Sequence, residues 1–100
     1  MKTVTPHHRQ RICSLIAMPG LDDQHLIAQR LRASLPGIEL SYCSTGDETL
    51  GSLDTLANEY YNFPGLLLLD LEIATRPMAW QLLKQIRACY PLLPVVLISV

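Results

Sequence analysis

The chain has 100 residues, 49% of them apolar, with 8 basic against 9 acidic side chains and a net charge of -1. That length allows one domain at most, and the apolar share suffices for a core and lies far from the disordered range. The charge balance leaves no electrostatic footprint for nucleic acid or an anionic membrane, and no apolar run approaches the ~20 residues of a transmembrane helix.

Residues Met1 to Gln10 read as a flexible polar arm with no apolar signal core, which points to a cytoplasmic protein. His7 and His8 give only two metal ligands on such an arm and read as solvated. Ile12 to Met18 is a short apolar run closed by Pro19-Gly20, a buried first strand. Asp22 or Asp23 can cap a helix over Gln24 to Ser34 by accepting bonds from free backbone amides. Leu26, Ile27, Leu31 and Leu35 form its apolar stripe, with Gln24, Gln29, Arg30 and Arg32 as polar neighbours. Pro36-Gly37 ends it. Ile38 to Cys43 alternates apolar and polar residues, which suits an edge strand with one wet face. Ser44-Thr45-Gly46-Asp47 reads as the turn that caps the next helix, Thr49 to Tyr61, whose stripe is Leu50, Leu53, Leu56, Ala57 and Tyr60.

Gly65-Leu66-Leu67-Leu68-Leu69-Asp70-Leu71-Glu72 follows Pro64. Four leucines ending on an acid read as a strand, Leu66 to Glu72, buried on both faces inside a parallel sheet. Asp70 then lies at the carboxyl end of a central strand, the edge where open α/β sheets bind ligands. An aspartate at a strand end also favours a turn, so a chemical role and a capping role both fit it. After the loop Ile73 to Pro77, a third helix is predicted over Met78 to Cys89. Trp80, Leu82, Leu83 and Ile86 are expected to face inward, with Lys84 and Arg87 solvated. Val95 to Val100 is a fourth, uncharged strand. Cys13, Cys43 and Cys89 lie in apolar segments without a C-x-x-C and read as buried thiols of a reducing compartment.

The order βαβαβαβ with short connections implies an α/β fold, a parallel sheet of about four strands with helices on both faces. Three segments carry a resemblance: Ser44 to Leu50 (STGDETL), Gly65 to Glu72 (GLLLLDLE), and Leu82 to Val100 (LLKQIRACYPLLPVVLISV). Over Ile12 to Val100 the chain resembles a response-regulator receiver domain, a flavodoxin-like fold with strand order 2-1-3-4. The resemblance implies two-component signal transduction, a regulatory rather than an enzymatic role, a histidine kinase or other signalling protein as partner, and a linked output module. Asp70 matches the phosphoacceptor. Ser99 matches the hydroxyl residue that contacts the phosphoryl group and couples it to a shape change.

The resemblance also implies Mg2+, held by Asp70, by the backbone carbonyl of Glu72 and by an acidic pair directly after the first strand. Ala17 and Met18 stand at that pair, before Pro19; Asp22 and Asp23 come about five residues later and are the acids left for the role. The family's fifth strand, its lysine and its last two helices would fall past Val100, so residues 11–100 read as an incomplete receiver-like domain. The Val95–Val100 strand is then expected to be covered by more chain or by a second copy in a homodimer. Two functions follow. One is a receiver phosphorylated on Asp70; the other is a pseudo-receiver that acts by protein docking without phosphorylation. A small α/β enzyme lacks support: there is no G-x-G-x-x-G, P-loop or nucleophile elbow, and His25 reads as a helix-surface residue.

Overall fold

A computed structural model describes residues 13–58 and 63–98. The arm over residues 1–10, Ile12, Tyr60, Tyr61, Ser99 and Val100 lie outside the described residues. The described chain alternates strand and helix throughout: β1 (Cys13–Ala17), α1 (Leu21–Ser34), β2 (Glu39–Cys43), α2 (Gly46–Ala57), β3 (Leu66–Asp70), a single 3-10 turn (Leu71–Ile73), α3 (Arg76–Cys89) and β4 (Val95–Ile98).

The four strands form one parallel sheet in the order β2-β1-β3-β4. Period-two alternation splits the central strands between two apolar layers. Leu15 and Ala17 of β1 join Leu67 and Leu69 of β3 on one face, against Leu53 of α2 and Leu82 and Ile86 of α3. Ile16, Met18 and Leu68 face the other way, against Ile27 and Leu31 of α1. Helices therefore cover both faces, and β3 is buried on both, as its leucine run implies. Gly46 lets α2 start close to α3: a Cβ there would stand 3.4 Å from Leu82 Cδ2. Gly37 turns the chain into β2 at φ +90, a left-handed value that favours glycine.

Several boundaries differ from expectation. Helix α1 starts at Leu21, with Gly20 at its N-cap and no side-chain cap bond, so neither Asp22 nor Asp23 caps it. Both sit inside its first turn, where their charge favours the helix dipole. Helix α2 starts at Gly46 rather than Thr49, because Thr45 is its N-cap and accepts the Glu48 N–H on Oγ1. Glu48 Oε1 in turn accepts the Ser44 N–H, a capping-box arrangement. Helix α3 starts at Arg76, because Pro77 fits its first turn. Strand β3 stops at Asp70 rather than Glu72, because the Asp70 side chain caps the 3-10 turn.

The inward faces also differ. In α3 they are Ala79, Leu82 and Ile86, with Leu83 half-buried; Trp80 is 45% exposed, against expectation. Small Ala79 lets the helix approach the sheet, and the indole lies one step round the cylinder from that contact. In α1 the buried positions are Gln24 and Ala28, while Leu26 and the C-cap residue Leu35 are exposed. In α2 Thr49 and Leu53 are buried and Ala57 is exposed. Of the cysteines only Cys43 is buried; Cys13 is half-buried and Cys89 exposed.

Candidate functional site at the carboxyl edge of the sheet

Parallel strands bring their carboxyl ends to one edge, and the register sets which residues meet there. Ala17 pairs with Leu69 across β1 and β3, so Met18 and Asp70 are the next residues at neighbouring strand tips. Asp70 pairs with Ile98 across β3 and β4. The expected convergence of Asp70 with the Ala17–Met18 segment is therefore observed. Ser99, the residue after Ile98, lies outside the described residues.

Asp70 is 1% exposed. Its Oδ1 accepts the Glu72 N–H at 2.8 Å, closing the turn that follows β3. The capping role is thus realised in the structure, at the same carboxylate as the candidate chemistry.

Met18 is also 1% exposed. Its N–H donates to the Cys43 carbonyl at 3.0 Å, which extends the β1–β2 pairing by one residue. Its apolar side chain packs in the layer with Ile16 and Leu68. Asp22 is exposed at the start of α1, and Asp23 is half-buried with its carboxylate turned back over Gly20. The Glu72 side chain is exposed. Mg2+ needs an octahedral set of oxygen ligands. Among the described residues no group of three or more His, Cys, Asp or Glu could hold a metal ion. With Ala17 and a buried thioether at the tip of β1, the described side chains of this edge do not make up such an oxygen set.

Two further features of the edge escaped the sequence. Gln24, 4% exposed, donates its carboxamide N–H2 to the Met18 carbonyl at 2.7 Å. The same nitrogen lies 3.5 Å from the Cys43 carbonyl and 3.5 Å from Ser44 Oγ. Its spacing to Ile27, Ala28 and Leu31, three, four and seven residues on, was the available signal, since those positions share one helix face. The second feature is a small polar knot behind β2. Cys43 Sγ lies 3.2 Å from Thr49 Oγ1, which donates to the Thr45 carbonyl at 2.8 Å. Burial pushes the Cys43 thiol up from its ordinary value; the Thr49 hydroxyl opposes that and the Glu48 charge adds to it. A thiol held protonated in this way is a poor nucleophile.

No protein-family model matches the sequence, and no curated protein matches it. Among solved structures, the crystal structure of the phosphorylated cyanobacterial phytochrome response regulator RcpA is similar, with a TM-score of 0.74 and 26% identity over 89% of this chain. This chain spans 65% of that one, less than two thirds of its length. The fold is that of the response-regulator receiver domain: a parallel sheet in the order 2-1-3-4 with helices on both faces. No described helix is long and apolar enough to cross a membrane.

Proposed function

We propose that this chain is a receiver-type regulatory module of two-component signalling that works as a pseudo-receiver. It docks onto a histidine kinase or another signalling protein and controls a linked output module, without metal-assisted phosphorylation of Asp70. In this reading it is not an enzyme and does not contact nucleic acid. The observation that carries it is the buried Met18 side chain at the strand tip beside Asp70. A phosphoryl donor brings dense negative charge to a carboxyl group. Positioned cations supply the main electrostatic stabilisation of such a transfer. A methionine at this place offers no charge and holds no ion. One oxygen of the Asp70 carboxylate, Oδ1, also accepts the Glu72 N–H and so shapes the loop that follows β3.

The alternative, a phosphoaccepting receiver with Ser99 as the switch residue, draws support from the burial of Asp70 at the tip of a central strand. Acetyl phosphate with Mg2+, followed by intact-mass analysis, separates the two. We expect little labelled product and no difference between wild type and Asp70→Asn. Stoichiometric labelling that Asp70→Asn abolishes would return the chain to the phosphoaccepting receivers.

A further inference from the structure

We infer that Gln24 is a positioning residue that clamps the loops after β1 and β2 into one rigid body, so that the carboxyl edge is preset without a bound ion. This deepens the docking reading and rests on it only for the use to which the edge is put.

Gln24 projects from the first turn of α1 into the space between the ends of β1 and β2. Two of its neighbours, the Met18 and Cys43 carbonyls, are acceptors only, so the amide nitrogen must face them. One short bond and two longer contacts thus join three places: the exit of β1, the exit of β2 and the Ser44 hydroxyl that opens the β2–α2 turn. A side chain this long and polar is rarely so deeply buried unless its donors are used. The bond to Met18 acts on the candidate site directly. Holding the Met18 carbonyl fixes the backbone at the strand tip next to that of Asp70, from which the thioether packs against Ile16 and Leu68. The Ser44 end is tied in as well, since the Ser44 N–H is held by Glu48 and the Glu48 N–H by Thr45. The clamp thereby reaches from Asp70's neighbour to the start of α2. Without the amide, the hydrogen bond left between the two loops among the described residues is that from the Met18 N–H to the Cys43 carbonyl.

The test is native-state hydrogen exchange of the whole chain. The readout is the exchange rate of the Met18, Gln24, Ser44 and Thr49 amides divided by that of the Leu67 to Leu69 amides at the sheet centre. Gln24→Leu keeps similar bulk and removes the donor. We expect this ratio to rise at least tenfold. An unchanged ratio in a folded variant overturns the clamp. Gln24→Glu gives a second arm if the leucine variant fails to fold. A neutral glutamic acid at low pH can donate its O–H to the Met18 carbonyl, whereas its carboxylate at neutral pH would face two carbonyl oxygens. We expect a near wild-type ratio at low pH and a raised ratio at neutral pH. Wild type measured at both pH values accounts for titration of the nearby Asp22, Asp23, Glu48 and Asp70. A pH-independent ratio in Gln24→Glu, relative to wild type, overturns the clamp. Acetyl phosphate labelling of wild type reports separately on the docking reading, so either proposal can fail alone.

Discussion

Cys43 shows how a single residue ties local chemistry to stability. It ends β2, buried, with its thiol shared between Thr49 Oγ1 and the Ile16 carbonyl. Its pKa in the folded chain lies above the ordinary 9.0 because burial disfavours the thiolate. A group whose folded pKa is raised contributes stability that is fully present below the unfolded pKa and lost as pH rises through the folded one. Urea unfolding should therefore show stability level up to about pH 9 and falling above it, and Cys43→Ser should flatten the first part of that fall. Tyr90 shifts in the same direction from 10.0, through burial and then the charges of Asp54 and Cys89, and adds a later decline. A fall that begins below pH 8, or one that Cys43→Ser leaves intact, would show that another group governs the alkaline limb. Asp70 differs in kind: its Oδ1 accepts the Glu72 N–H, so the side chain serves the backbone whether or not it serves chemistry.

At the scale of elements, α3 makes the sharpest test of what packs. Leu82 is 7% exposed and meets Gly46 of α2, whereas Trp80 is 45% exposed. Leu82→Ala should cost ~2–5 kcal/mol, the usual range for a large-to-small change in a core. Trp80→Ala should cost about 1 kcal/mol or less, as for an exposed site. Chemical denaturation of the two variants decides it, and the reverse ranking would rotate the helix. The sequence carried most of the architecture, because strand existence and order follow from coarse features. The Leu66–Leu69 run and its flanking Pro64-Gly65 mark a strand buried on both sides, and short connections force parallel neighbours. Helix faces were less legible. Apolar side chains outnumber the inward positions, so Trp80, Leu26 and Leu35 looked like core while small Ala79 and Ala28 filled it. Polar inward residues were least legible of all. Gln24 read as a polar neighbour of the apolar stripe and Thr49 only as a helix start, because their burial depends on carbonyls and a thiol that only the tertiary fold brings near. The same limit applied to the candidate site. Asp70 was identifiable from its place at a strand end, but the bond to Glu72 and the burial of Met18 depend on how the strand tips are assembled.

At the scale of the whole molecule, the two sheet edges are unlike. Strand β2 is an edge with Glu39 and Ser41 exposed, and charged or polar side chains discourage further pairing. Strand β4 is an edge made only of Val95, Val96, Leu97 and Ile98. Val96 pairs with Leu68 on the α1 face yet is 46% exposed, and Leu97 pairs with Leu69 on the opposite face yet is 39% exposed. Among the described residues β4 is therefore paired along one side only, and neither layer of helices fully covers it. An apolar edge strand with free backbone donors and acceptors is a template for another strand. The 100-residue chain on its own should self-associate, with an average mass that rises with concentration in sedimentation experiments. Replacing Val96 with Lys puts a charge on the exposed apolar face, where pairing would desolvate it, and should return the chain to monomer. Leu21→Lys, at the exposed start of α1, should leave association unchanged. A chain that stays monomeric at every concentration, or association that Val96→Lys does not weaken, would exclude β4 as the pairing edge.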